Sequence, residues 1–437
     1  ILLCLPMIGF GQNVNIPDAN FKAYLVGHPA INTNGDTEIQ VSEATAFSGQ
    51  IGCSSSNISD LTGIEEFTAL TNLWCPSNQL TTLDVSNNTA LTVLYCYDNQ
   101  LTTLNVSQNT ALTRLECGNN QLTSLNVSQN TALTRLECNN NLLTTLDVSQ
   151  NTALGDLSCG YNQLTTLDVS QNTALTELKC FHNQLTSINT SNLFVFSRLE
   201  CGNNQLTNLN LTDNVSLNHL ICDSNALTIL DVSNNTSLNQ LSCSANQLTI
   251  LNMYNNFIWL NCSNNQLTSL DISHNTAFLT NRLTYLYCSN NQLTSLDVSS
   301  RTNLEELSCY DNQLTSLDIS HNTVLTNLDC SSNDLQCLNT KNNHYPNLSV
   351  NALNNNLNCV EVNNIVYAIN NWLFDSFTSI NVICNYPSPC IPPSAIKEHS
   401  TNKELLRTID ILGRETKNNP LFYIYDDGTV EKRIIIE

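Results

Sequence analysis

Nineteen cysteines in 437 residues are the side chains with the most chemistry to offer, as metal ligands, disulfide partners or nucleophiles. From Cys75 they recur at 96, 117, 138, 159, 180, 201, 222 and 243, a strict spacing of 21, and then at 262, 288, 309 and 330. Zinc needs close cysteine pairs or clustered histidines, and this column has neither. The seven histidines (28, 182, 219, 274, 321, 344 and 399) are scattered, and no glycine-rich phosphate loop is present. No convergent set of nucleophile, base and stabiliser emerges, so no enzymatic activity is expected. With 15 Lys+Arg against 37 Asp+Glu, a net charge of -22, the chain lacks the cations that phosphate binding draws on, so nucleic acid is excluded. At 41% hydrophobic residues it can still bury a large core.

A fixed period of this kind marks a solenoid. One unit reads Leu91-Thr-Val-Leu94-Tyr-Cys96-Tyr-Asp-Asn99-Gln-Leu101, and thirteen successive units from Cys75 to Cys330 carry the same pattern, with a divergent one around Cys53. It resembles the leucine-rich-repeat pattern L-x-x-L-x-L-x-x-N-x-L, with cysteine in the third apolar slot. Leu94 and Cys96 are two apart, so on a strand both point into the coil while their neighbours point out, and successive units stack into a parallel sheet. Fourteen coils give an axis of about 65 Å. Equivalent cysteines on adjacent strands sit ~4.8 Å apart, beyond the ~3.5–4.5 Å between Cβ atoms that a disulfide needs, so the column reads as free thiols acting as small apolar fillers. The asparagine three places after each cysteine is expected to turn inward and bond the open backbone of the turn. Asparagine is also expected to serve left-handed turn positions in place of the scarce glycine. The second half of the unit, as in Leu83-Asp84-Val85, predicts a short extended segment on the convex side. Its Asp/Asn column (Asp84, Asn105, Asn126, Asp147 and their successors) suits turn capping better than a calcium ladder.

The ends depart from the repeat. Residues 1–11 look like the tail of a signal peptide h-region, and no other stretch is long and apolar enough to span a membrane. Residues 12–50 form an amino-terminal cap, in which Pro17 is expected to begin a helix with Phe21 and Leu25 on one face. Within it, Asn32, Asn34, Asp36, the Glu38 carbonyl and Glu43 match EF-hand positions 1, 3, 5, 7 and 12, which makes one structural calcium the only cofactor to consider. Position 1 is Asn rather than Asp, and position 6 is Thr37 rather than Gly, so a metal-free polar loop stands as the competing reading. Repeats are assigned to 51–338. Residues 339–385 look like the carboxy-terminal cap of bacterial leucine-rich-repeat proteins, whose aromatic residues cover the last coil. A Cys359–Cys384 disulfide is plausible there, against Cys337–Cys359, a pair involving Cys390, or none. A Pro/Ser linker, 386–402, precedes a tail, 403–437, that alternates like short strands with Asp-Asp-Gly-Thr as a hairpin turn.

That tail closely resembles the carboxy-terminal sorting domain of type IX secretion cargo, through its Asp410-to-Arg414 element with Gly413, its Phe422-to-Gly428 hairpin with Asp427, and its basic-then-apolar end with Lys432 and Arg433. The resemblance implies recognition by the type IX secretion machinery and release or tethering at the outer cell surface.

The fold expected is therefore mainly β, a right-handed leucine-rich-repeat solenoid of 21-residue repeats, capped at both ends, with a small β sorting domain. Its outward strand positions carry Trp74, Tyr95 and Tyr97 near the start. Arg114, Arg135 and Phe181 stand among charged residues in the middle, and Trp259, Tyr285, Tyr287 and Tyr310 toward the end. Exposed Trp, Tyr and Arg are the residues that dominate binding surfaces, so two aromatic patches are expected to bind an extracellular protein or glycan. Opposite charges such as Arg135 beside Asp156 and Glu177 beside Arg198 read as cross-strand pairs. The length irregularity around Phe278 to Arg282, where cysteine spacings are 19 and then 26, is expected to mark a specific contact. The protein expected is a secreted or surface-held monomer used in adhesion or recognition. The alternatives are a structural surface or biofilm-matrix protein without a dedicated ligand, and a glycan-binding accessory protein.

Overall fold

The computed structural model describes residues 11–253, 257–273, 283–341 and 347–384, together with the backbone of three strands, Leu405–Ile409, Phe422–Tyr425 and Val430–Lys432. Fifteen three-residue strands, from Gln50–Gly52 to Ser349–Asn351, form one parallel sheet. Each coil contributes one strand in strict register, with Leu73 beside Leu94 and Leu94 beside Leu115. The strands are short because only three residues per coil face a neighbour in extended form before the chain must turn back. Leu94 and Cys96 are fully buried, as are their equivalents, and the cysteines from Cys53 to Cys330 are all free. The shortened and lengthened units leave the sheet intact, since Gln240, Trp259 and Tyr285 remain in register.

Two asparagine columns hold adjacent coils together. In the first, Asn99 donates from Nδ2 to the carbonyls of Cys75 (3.0 Å) and Cys96 (3.1 Å), while its Oδ1 accepts from Leu80 N (3.0 Å). One amide thus ties three backbone groups in two coils. The second column was not foreseen. Asn130, ten residues further along its coil and wholly buried, donates to the carbonyls of Val106 and Asn109 in the preceding coil, both at 2.9 Å. The amide oxygens of Asn88, Asn109, Asn130, Asn151 and Asn172 accept nothing. Asn214 differs, because Thr190 stands where the five preceding coils have valine (Val85 to Val169) and donates to its Oδ1 at 3.0 Å. After the lengthened unit Arg301 takes the asparagine's place, its guanidinium donating to the carbonyls of Ile272 (2.6 Å) and Ser273 (3.3 Å). Burial holds its pKa below the usual arginine value.

Left-handed backbone falls two residues after each cysteine, with φ between 50 and 58° from Ser55 to Asn354. Asparagine holds only some of these positions; Asp98, Tyr161, His182 and Ala245 hold others. The inward asparagine, one residue later, is not left-handed, so the two roles fall on neighbouring residues. The convex extended segment forms only locally, as in Ile229–Val232 beside Ile250–Met253. Asp84 and Asn105 are joined by a single parallel bridge, and each closes a turn by accepting from the N–H two residues on.

The first helix, Ala19–Val26, begins after Asp18, whose carboxylate accepts from the N–H groups of Asn20 and Phe21; Pro17 lies one residue outside it. Phe21 and Leu25 are buried over the first coil, and Asp18 also accepts from Ser59 N (2.9 Å), fastening cap to repeat. At the other end the repeat runs one coil past 338. Ala352 fills the cysteine slot, and Asn355 bonds the carbonyls of Cys330 and Ala352 as an inward asparagine. The cap that follows contains the helix Ile365–Asn371 and a Cys359–Cys384 disulfide with Cα atoms 5.9 Å apart. Cys337 is not among the free thiols, and Cys390 lies outside the described residues.

Thr190 supplies a direct test of the orphaned amide oxygens. Val127→Thr places a hydroxyl beside Asn151 and is expected to be neutral or stabilising by up to about 1 kcal/mol. Val169→Thr faces Leu193 at the equivalent place and should cost about 1–3 kcal/mol. Equal losses in denaturant melts of the two variants would remove the assigned role of that hydroxyl.

Candidate functional site

The concave sheet brings the expected binding residues onto one face in three groups. Near the start Trp74 stacks on Tyr95, ring centroids 5.5 Å apart and planes 19° apart, with Tyr97 half-buried two residues on. Arg114 lies one strand over, exposed and without an ion pair among the described residues.

The middle is a charge network. Arg135 reaches Glu116 (3.6 Å), Asp156 (3.1 Å) and Glu137, and Glu177 bridges Lys179 (2.8 Å) and Arg198 (3.2 Å). Burial pushes the carboxyl groups of Glu116 and Asp156 up, and Arg135 offsets part of that. For Arg135 burial opposes the charge, but the Glu137 hydrogen bond and the surrounding carboxylates outweigh it and raise its pKa. This network satisfies itself, which leaves Arg114 as the concave guanidinium available to a partner.

Toward the end Trp259 lies 6.2 Å from Tyr287. Tyr287 donates to Glu306 (2.8 Å) and Tyr285 to Glu305 (3.5 Å); burial first, then Glu306, pushes the Tyr287 hydroxyl up to about 12. Tyr310 is half-buried. The nine strand steps between Trp74 and Trp259 separate the two end groups by about 40 Å.

A fourth group, Tyr161 with Phe181 and His182, was only partly anticipated. Tyr161 is exposed and stacks on His182 at 4.3 Å with planes 11° apart, while Phe181 meets it edge-on at 5.3 Å. Tyr161 and His182 occupy the left-handed position beyond the strand, so attention to strand positions alone finds Phe181 and misses its partners. The signal was two consecutive aromatic residues at the same place in adjacent units.

The EF-hand-like loop does not follow the EF-hand path. Its left-handed residue is Gly35, φ 73°, at position 4, and Thr37 at position 6 is not left-handed. The expected ligands are engaged by the chain's own donors. Glu43 Oε1 accepts from Thr33 N (2.8 Å), Thr33 Oγ1 and Asn34 N, and its Oε2 accepts from Gln40 N. Asn32 Oδ1 accepts from Gly35 N, Asp36 from Glu38 N, Asn34 Nδ2 and Gln40 Nε2, and the Glu38 carboxylate pairs with Lys22. Among the described residues no group of three or more His, Cys, Asp or Glu could hold a metal ion. The column thiols are buried, and burial pushes their pKa up, to about 12 for Cys117, Cys159 and Cys262 and further for others.

Of the sorting-signal residues, Gly413, Arg414, Asp427, Gly428 and Arg433 lie outside the described residues, as do most of 1–11, the linker 386–402 and Phe278 to Arg282. Lys432 ends the strand Val430–Lys432, which pairs antiparallel with Phe422–Tyr425, as does Leu405–Ile409.

Comparison with known proteins places this architecture. The chain is 36% identical to the functional domain of InlJ from Listeria monocytogenes, described as including a cysteine ladder; the match covers 78% of this chain and 81% of that one, with a TM-score of 0.66. A leucine-rich-repeat protein of Leptospira interrogans matches at 23% identity over 76% and 91%, TM-score 0.62. The leucine-rich effector YopM of Yersinia pestis matches at 23% over 83% and 96%, TM-score 0.61. A family model for the LVIVD repeat matches residues 220–243, the length of about one coil. No curated protein matches the sequence. Among the described residues no helix is long and apolar enough to cross a membrane.

Glu43 gives a prediction with a sign. Burial raises its pKa, but the hydrogen bonds from Gln40, Thr33 and Asn34 outweigh it and hold the carboxyl below its usual 4.5. Its stabilisation is therefore full above about pH 4.5 and lost as the pH falls through the lower folded-state value. Glu43→Gln should lower the thermal midpoint at pH 7 and leave a much smaller difference at pH 3; a pH-independent difference would contradict the assignment.

Proposed function

Because the chain belongs to the bacterial leucine-rich-repeat proteins, we propose that it is a recognition protein, without enzymatic activity, that binds an extracellular protein or glycan through its concave sheet. The observation that carries this reading is the contrast along that face. The central charges are paired with one another, whereas the rings of the Trp74–Tyr95 stack, the Tyr161–His182 stack and the Trp259–Tyr287 pair lie outside that network and keep part of their surface open to solvent. Rigid aromatic surface beside an unpaired arginine is the composition of a binding hot spot. The same self-paired middle favours the second reading, a structural surface or matrix protein whose coils need no dedicated ligand.

Delivery is proposed to follow the type IX route, with the sequence resemblance of the tail as support, and the protein to act as a monomer released from or held on the outer cell surface. The cap loop is read as a self-closed turn that seals the first coil. A rise of several degrees in thermal midpoint with millimolar calcium, reversed by a chelator, would restore the metal reading.

Purified protein should bind its target cells or matrix, and replacing Trp259, Tyr285 and Tyr287 together by Ala should weaken that binding at least ~10-fold. Signal on a glycan array lost in the same variant would make the partner a sugar. Unchanged surface binding would favour the structural reading. In a type IX-competent bacterium, deletion of residues 403–437 should retain the protein in the periplasm; normal surface delivery of the shortened chain would overturn the proposed route.

A further inference from the structure

The two ends of the solenoid are finished differently. At the start, Phe21 and Leu25 are buried beneath the cap helix, and Asp18 is bonded into the first coil. At the other end the last coil turns apolar side chains outward. Val366, Ile369, Leu373, Phe377, Val382 and Ile383 are each more than half exposed. Val366 and Ile369 are three apart on the helix Ile365–Asn371 and so share one face; Leu373 continues the concave sheet by a single bridge to Asn351. Ser379–Asn381 is the outermost strand of the sheet it joins, so its far edge is open among the described residues. An apolar end face beside an open strand edge is what a terminal repeat is normally shaped to avoid.

We propose that the chain's own tail, residues 403–437, docks on this face and completes the closure of the solenoid. The tether is immediate, because the 53 residues from 385 to 437 leave from Cys384, which is fixed by its disulfide to Cys359 beside Val382 and Ile383. Attachment at the edge of the patch gives the tail an effective concentration there that a separate molecule has to match from solution. The tail also needs a surface. Among the described residues its sheet has three strands of five, four and three residues, and a sheet that small gains stability by packing one face against another element. Charge does not oppose the docking. Residues 1–384 carry 8 Lys+Arg and 29 Asp+Glu, whereas the tail with its linker carries 7 and 8, so a nearly neutral module meets a strongly acidic one. The consequence is a change of surface state: cleavage in the linker 386–402 and loss of the tail would exchange a covered end for an exposed apolar one. This holds whichever partner the concave face takes.

Hydrogen exchange on the full chain tests the docking. In Val366→Lys/Ile369→Lys/Phe377→Lys, amides of 405–409 and 422–425 should exchange at least ~10-fold faster than in the unaltered chain, while the leucine strands of the concave sheet stay protected. Equal tail exchange in the two proteins would overturn the proposal, as would light scattering that finds a dimer dissociated by the same variant, since the face would then belong to a second copy. A second measurement avoids the lysines. With a protease site placed in the linker, binding of an apolar dye should be low before cleavage and rise several-fold once the tail is separated, and an unchanged signal would also overturn it.

Discussion

Every coil must leave its strand, cross the convex side and return in register, and each crossing strands backbone carbonyls in an interior that water does not enter. The structure depends on how those carbonyls are met. Here they are met by side-chain amides, at two places in most of the described coils: Asn99 and its equivalents just after the strand, Asn109 and its equivalents on the way back. Each amide bonds its own coil or the one before it, so a coil is complete only when its neighbour is present. Stacking is thereby built into the hydrogen bonding and not left to apolar contact alone. Arg301 shows how firm the requirement is. After the lengthened unit, a longer donor is buried in the asparagine's place and bonds the carbonyls of Ile272 and Ser273, although burial works against its charge.

With leucine, cysteine and asparagine committed to the interior, the outward strand positions are left to vary, and they vary in blocks. Aromatic residues stand at either end and charges occupy the centre. The central charges are spent on each other across adjacent strands, which stiffens the sheet while offering little to a partner. The binding proposed for this face is therefore assigned to the ring groups and to Arg114, which lie outside the charge network.

The repeat announces its sheet because the side-chain period of two and the coil period of 21 leave few alternatives, so the inward leucine and cysteine, the inward Asn99 column and the central ion pairs were all legible. The second asparagine column was not, because Asn109 sits in an Asn-Thr-Ala stretch whose polar character suggests a solvent-facing turn. Only the path of the chain shows that it points inward. Left-handed angles were expected at asparagine, yet Tyr161, His182 and Ala245 adopt them. The geometry is imposed by the coil on whichever residue falls there, and local preference is overridden. The same misjudgement of loop positions hid the Tyr161–His182 stack. For the cap loop, spacing matches a calcium motif, and only the path of the chain shows that Gly35, rather than Thr37, is left-handed. The coil beyond 338 carries no cysteine in the inward slot, and the structure shows Ala352 filling that space.

The cysteine column also sets a condition on how this molecule comes to be. In the finished solenoid fourteen thiols, from Cys53 to Cys330, are sealed from solvent and from oxidants. Before the coils close, the same thiols are accessible on a flexible chain, where any two can be oxidised into a cross-link that the stacked geometry cannot accommodate. In an oxidising compartment maturation is thus a race between coil closure and thiol oxidation. The architecture favours closure, because each coil is completed by contacts with residues about one repeat away and growth proceeds by adding neighbours. A chain held unfolded in such a compartment ages chemically, and the cysteine column acts as a clock on its folding.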